Sequence, residues 1–181
     1  RDVSQPDNEP PCHSSTDTLD AQHVADQFGF PFYTRDFSET FHEQIIEPFI
    51  QDYMQGRTPN PCVMCNNRLK LGRLLEEGKA LGAEAIATGH YGRIERNEQT
   101  GRMELCVSAE PNKDQTYYLS ALTQEQLAQM VMPLGSLLKA ETRQLAERFG
   151  LHLHDKRDSV EICFITDNDY RRSPSHSHHA R

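Results

Sequence analysis

The chain has 181 residues, 36% hydrophobic and 25% charged, with a mean hydropathy of −0.74, which suits one domain with a modest core and a polar surface. No apolar run approaches the roughly 20 residues of a membrane span, the start RDVSQPDNEPP has neither region of a secretory leader, and five scattered cysteines do not make a secreted disulfide scaffold. A reducing, cytoplasmic setting without a membrane partner is therefore expected. Net charge is −8, but residues 1–55 hold 2 Lys/Arg against 11 Asp/Glu whereas residues 56–181 hold 17 against 16. The later part thus has room for a basic face carrying Arg57, Arg68, Lys70, Arg73, Arg93 and Lys113; ordinary solvated charge is the plain alternative.

Residues 1–15 read as a flexible, Pro-rich start. Thr16 or Asp17 caps a helix in which Ala21, Val24, Ala25 and Phe28 form one stripe, and Gly29 closes it. A short strand is expected over Pro31–Phe37. Phe41, Ile45, Phe49 and Ile50 then mark a helix interrupted by Pro48, where a kink or break is expected. Gly56 ends it. After a Pro-rich loop, a helix starting near Asn66 buries Leu71, Leu74 and Leu75 and stops at Gly82. AEAIATGH reads as a short buried strand running into a loop. Residues 93–109 form a hairpin turning at Asn97–Gly101, with Met103, Leu105 and Val107 on one face. Thr123 and Gln126 make a capping box. A helix over 139–149 turns Leu145 and Phe149 inward and ends at Gly150, and Ser159–Ile165 reads as a β-rich piece. Alternating strands and helices point to an α/β layer with a parallel sheet. Ligands of such sheets gather beyond the carboxyl ends of the strands, where Gly89 and His90 fall.

Four segments carry candidate chemistry. In GRTPNPCVMCN, residues 56–66, two prolines restrict the backbone and place Cys62 and Cys65 beside a helix start, where the dipole favours a thiolate. Two small buried residues are an equally good account of an isolated Cys-x-x-Cys. Zinc needs four ligands; Cys106, inside the hairpin, is a poor one, and His152 and His154, on one side of an extended stretch, read as surface. Lys113-Asp114-Gln115, followed by Tyr117 and Tyr118, offers a cation, a carboxylate and an amide for phosphate, ribose or base, although the tyrosines alone read as core. Gly89 in ATGHY permits close backbone approach to a ligand; a simple turn is the alternative. Cys163, between Ile162 and Phe164, reads by default as core.

In this order and spacing, GRTPNPCVMCN, ATGHY, KDQTYYLS, PLGSLLKAETRQLA and ICFI resemble the tRNA-specific 2-thiouridylases (MnmA/TrmU), from about Cys12 to Tyr170. The resemblance implies a PP-loop domain (adenine nucleotide alpha hydrolase-like, Rossmann-like) over residues 16–170 with a β-hairpin insertion. It implies ATP, with Mg²⁺, adenylating the C2 oxygen of a tRNA wobble uridine, and a persulfide sulfur replacing that oxygen as AMP leaves. Cys65 resembles the nucleophile and Cys163 the persulfide carrier, the two forming a disulfide during turnover. Gly89 resembles an ATP contact. Asn60, Pro61 and Cys62 resemble the stretch that meets the target base, and His90, Lys113, Asp114 and Gln115 resemble tRNA contacts. A cysteine desulfurase relay is the implied sulfur donor.

Departures from the family pattern add three expectations. The Ser-Gly-Gly-x-Asp-Ser loop that holds ATP phosphates is not among these residues, nor is the first strand, so the chain alone is expected not to turn over. Residues 171–181, RRSPSHSHHAR, read as a disordered tail foreign to the family. Cys62 stands where many members have Asp, so Cys62, Cys65 and Cys163 could instead hold a [4Fe–4S] cluster with one open iron, or form a non-catalytic metal or redox module.

Overall fold

The computed structural model describes residues 15–156 and 162–164. They fall into two compact units, one formed by residues up to Asp36 together with those from Asp155 onward, the other by Phe37–His154.

In the first unit, α1 (Ser15–Phe28) is the expected helix. Gly29 takes φ 71° at its end, and the Phe30 N–H bonds the Ala25 carbonyl at 2.9 Å. Of the expected stripe only Ala25 is fully buried, while Phe28 is 41% exposed. Lys156 reaches Asp17 and Asp20, each at 2.6 Å. Those hydrogen bonds hold the ammonium pKa above its usual value. The expected strand over residues 31–37 is absent: the segment forms no ladder, and 31–36 are exposed. Its aromatic composition favours a pleated surface only when a neighbouring strand supplies the other half.

The second unit opens with a continuous helical run: α2 (Ser38–Phe41), a π-helical stretch (His42–Ile46) and α3 (Glu47–Met54). The proline neither breaks nor ends the run. In an α-helix Pro48 would clash with the carbonyl of Gln44 and leave it unpaired. The wider i→i+5 winding takes up the ring, and Arg68 donates to that carbonyl at 3.2 Å. Phe41, Ile45 and Phe49 are buried along one face. Gly56, at φ 74°, ends the run, with the Gly56 N–H on the Tyr53 carbonyl at 3.0 Å and the Arg57 N–H on that of Asp52 at 2.9 Å.

The second helical run starts at Pro61, five residues before the expected Asn66. It comprises α4 (Pro61–Met64), a π-helical stretch (Cys65–Arg73) and α5 (Leu74–Ala80), closed by Gly82 at φ 90°. Proline at the first helical position has no N–H to lose, and the Asn60 side chain caps the N–Hs of Cys62 and Val63 at 3.1 and 3.3 Å. Such a cap contributes about 1 kcal/mol. Leu71 and Leu75 are buried, but Leu74 is 40% exposed, because the π winding shifts the apolar phase that an α-helix would have kept.

Two small sheets complete the unit. β1 (Ile86–Ala87) pairs in parallel with β4 (Met130–Val131). β2 (Arg93–Arg96) and β3 (Met103–Cys106) form the expected hairpin, with Arg93 opposite Cys106 and Arg96 opposite Met103. Its turn is fixed by the Asn97 side chain, which accepts the N–Hs of Gln99 and Thr100 at 2.9 and 3.0 Å. β1 is not the buried strand expected, since Ala87 faces solvent. Val107 lies beyond β3 and is exposed. α6 (Gln124–Ala128) carries the Thr123–Gln126 capping box. α7 (Lys139–Arg148) ends before Gly150 at φ 69°, with Leu145 half-buried and Phe149 exposed rather than inward. Leu71, Leu119 and Met130 form the core, flanked by Ile94, Leu105, Leu122 and Met132. Among the described residues no helix is long and apolar enough to cross a membrane.

Candidate active site

Both cysteines of the Pro-rich loop are on the helix, not ahead of it. Cys62 is in its first turn, where its own N–H is capped by Asn60. Cys65 opens the π-helical stretch. Both are half-buried, and Pro61 between Asn60 and Cys62 is buried. Asn66, next in line, is 4% exposed; its amide donates to the Tyr118 carbonyl at 3.3 Å.

The second piece is the loop after β1. The Gln115 side-chain carbonyl accepts the Tyr91 N–H at 3.0 Å, and the Gln115 N–H returns a bond to the Tyr91 carbonyl at 2.8 Å. The Tyr91 ring is buried, with its hydroxyl 3.0 Å from Thr142 Oγ1 and the Lys139 ammonium 5.7 Å from its centroid. Gly89 is exposed; a Cβ there would meet only Leu134, at an ordinary 3.7 Å.

Residues 113–119 therefore tie the two motifs together, bonding the thiol-bearing helix through Tyr118 and the ATGHY loop through Gln115. Within this bridge Lys113 is exposed. Asp114 is turned inward: it accepts the Ser108 N–H at 2.7 Å, the Thr116 N–H at 3.1 Å and the Thr116 hydroxyl at 2.5 Å. Burial works to raise its pKa, but the bonds from Thr116 and Ser108 outweigh it and hold the carboxyl below its ordinary value. Tyr117 and Tyr118 are 65% and 37% exposed, against the expectation of core, and pack edge to face 5.7 Å apart. Leu119 takes the core position instead.

His90 stands between the motifs electrostatically. Burial and the nearby Lys70 ammonium lower its pKa from 6.5 to about 4, and Nδ1 lies 2.9 Å from the Thr88 hydroxyl. The ring is thus neutral at pH 7, suited to hydrogen bonding rather than to neutralising phosphate. Above pH 6.5 it is neutral in both folded and unfolded chains. As pH falls from 6.5 toward 4 the unfolded chain takes up a proton that the folded chain refuses, so stability falls across that window. Urea midpoints measured through this range are expected to drop, and the drop to be shallower in His90→Gln. An identical slope in the variant would refute the assignment.

The remaining candidates separate clearly. Burial and Glu95 raise the Cys106 pKa, which makes it a poor nucleophile. Cys163 belongs to the other unit. It occupies a turn, not a strand, and is exposed rather than core, with Phe164 buried beside it; the rest of the expected β-rich piece lies outside the described residues. His152 and His154 lie in a turn rather than on an extended stretch. Among the described residues no three His, Cys, Asp or Glu side chains are grouped to hold a metal. Sequence reasoning overlooked the buried Asn66 and treated Gln126 only as a cap; the Asn60-Pro61 pair was the available signal for the true helix start.

A family model described as tRNA methyl transferase HUP domain matches residues 1–167. The chain belongs to that family. A HUP domain is an α/β fold, in keeping with the parallel pairing of β1 and β4. The chain is 52% identical over 161 residues to the tRNA-specific 2-thiouridylase MnmA of Geobacter metallireducens, covering 89% of this chain and 44% of that protein. It is 48% identical to the MnmA of Koribacter versatilis, over the same shares. To that of Clostridioides difficile it is 45% identical, over 88% of this chain and 44% of the relative. The chain thus spans under half the length of these curated relatives.

Proposed function

We propose that this chain supplies the thiol-bearing part of a tRNA-uridine 2-sulfurtransferase. The observation that carries the reading is the bridge of residues 113–119, which joins the Cys62/Cys65 helix to the ATGHY loop at the carboxyl end of a parallel strand. Identity to 2-thiouridylases at 45–52% supports it.

In this reading ATP is a substrate. The uridine C2 oxygen attacks its α-phosphorus, pyrophosphate leaves, and C2 becomes activated toward sulfur. The outer sulfur of a Cys163 persulfide, loaded by a donor protein, attacks C2 and AMP departs with the oxygen. The Cys65 thiolate then attacks Cys163 Sγ, freeing the sulfur on C2 as 2-thiouridine and leaving a Cys65–Cys163 disulfide for an external thiol to reduce. Splitting the substitution into covalent steps lowers each barrier.

Gly89 fits an ATP contact because neither its backbone conformation nor its packing demands glycine. Close approach of a ligand supplies the missing reason. The neutral His90 and exposed Lys113 are the tRNA-facing donors of this reading, and Asn60 and Pro61 shape the approach to the target base. Asp114 and Gln115 contribute by holding the loops that present them. The Ser-Gly-Gly-x-Asp-Ser phosphate loop is not among the 181 residues, so the activity is proposed for a protein that includes one.

The test is mass spectrometry of digested tRNA after incubation with that whole protein, ATP and a persulfide donor. ATP-dependent 2-thiouridine is expected, and none in a folded, persulfide-loaded protein would overturn the reading.

A further inference from the structure

We propose that Gln126 is a positioning residue for Cys65, acting by holding the helix that carries it in its π register. Its interest as a positioning device rests on the sulfur-transfer reading above, but the contact itself does not.

A π turn pairs each carbonyl with the N–H five residues on, a rare winding found mostly as single turns, so a nine-residue stretch calls for contacts from outside the helix that favour it. Gln126 supplies them from a different element, α6. Its Nε2 donates to the carbonyls of Asn67 and Leu71, both at 2.9 Å. Its Oε1 accepts the Thr123 N–H at 2.9 Å and the Asn67 side-chain amide at 3.2 Å. A primary amide has two donors and two acceptor sites, and all four are used. A helix cap requires only the bond to Thr123; the other three go to the π stretch that begins at Cys65.

Two further observations show that this register is held rather than intrinsic. Asn66 Oδ1 is buried with no hydrogen-bond partner among the described residues, which costs about 1–3 kcal/mol. A side chain at Gly72 would press on the Asn67 carbonyl at 3.1 Å, so glycine keeps room for the turn. Slipping the register by one residue would turn Cys65 by roughly 100° about the axis relative to the buried Leu71 and Leu75.

The test is the pH profile of iodoacetamide alkylation, followed at each cysteine by peptide mass spectrometry on the full chain. Gln126→Leu removes all four bonds. Gln126→Glu retains the acceptor that caps α6 but cannot donate to the carbonyls, and it decides the matter if the leucine variant does not fold. Thr123→Ala weakens the cap and leaves the clamp. Both Gln126 variants are expected to shift the Cys65 rate by at least about fivefold while Cys106 and Cys163 stay within about twofold, and Thr123→Ala to leave Cys65 unchanged. A smaller shift at Cys65, an equal shift at every cysteine, or failure of both Gln126 variants to fold would overturn the proposal. No ATP or tRNA enters the assay, so it stands or falls separately from thiolation. In a thiolating protein the same variants should lower kcat while leaving KM for tRNA in place.

Discussion

Alanine in place of Gly135 is expected to destabilise the Phe37–His154 unit by about 3 kcal/mol, the upper end of overpacking costs. Gly135 is buried in the turn between β4 and α7. A Cβ there would land on the backbone carbonyl of Gly92 and come within 2.8 Å of Arg93 Cγ. The obstruction is mainly backbone, so no rotamer change relieves it. Gly92 is itself closely packed, since a Cβ at its position would meet Thr116 at 3.2 Å and Met132 at 3.4 Å. The Gly135 carbonyl also accepts the Ala109 N–H at 2.8 Å, and moving the turn would break that bond. Urea unfolding of the two proteins checks the figure. Gly89→Ala is the matched control: its Cβ would make only ordinary contact, so its midpoint should stay within about 0.5 kcal/mol of the parent. Equal midpoints for Gly135→Ala and the parent would show that the two backbones do not pack as described.

Cys65→Ser in the whole protein is expected to lower tRNA thiolation by at least about a thousandfold, as loss of a nucleophile generally does. A serine hydroxyl stays protonated at neutral pH and could not open the bond that the proposed mechanism places between Cys163 and the transferred sulfur. Cys65 is half-buried and the replacement is nearly the same size, so the fold should persist. Cys106→Ser is the comparison. It removes a thiol whose pKa is raised by burial and by Glu95, and its rate should match the parent within about twofold. If Cys65→Ser retained a tenth or more of the parental rate, about 1.4 kcal/mol of barrier, Cys65 would not be the nucleophile.

What could be read beforehand follows from the range of the interactions involved. Helix ends are local: Gly29, Gly56, Gly82 and Gly150 announce themselves because each adopts a positive φ that glycine alone enters cheaply. The hairpin, shorter than expected and without Val107, and the Thr123–Gln126 box are equally local. The π windings were not legible, because side chains far along the chain, Arg68 for one and Gln126 for the other, donate to carbonyls within them. Misplacing Leu74 followed directly, since 3.6-residue periodicity cannot follow a helix that changes winding. Pro31–Phe37 had strand composition without a partner, and partners are not written in a single segment. At the candidate site, the cysteines and the ATGHY and Lys113–Gln115 segments could be singled out by residue type and spacing. That residues 113–119 bridge the other two was not, because it depends on hydrogen bonds to a main-chain carbonyl and N–H that any residue provides.

The clamp on the thiol helix also has a temporal meaning. Its bonds from Gln126 to Asn67 close a separation of 59 residues, and β1 finds β4 only once Val131 has been made. A ribosome adding about 5–20 residues per second therefore presents Cys62 and Cys65 several seconds before the segment that fixes their helix. During synthesis these thiols sit on an unclamped helix, and a nascent chain halted before Gln126 should be the form in which oxidants reach them most readily.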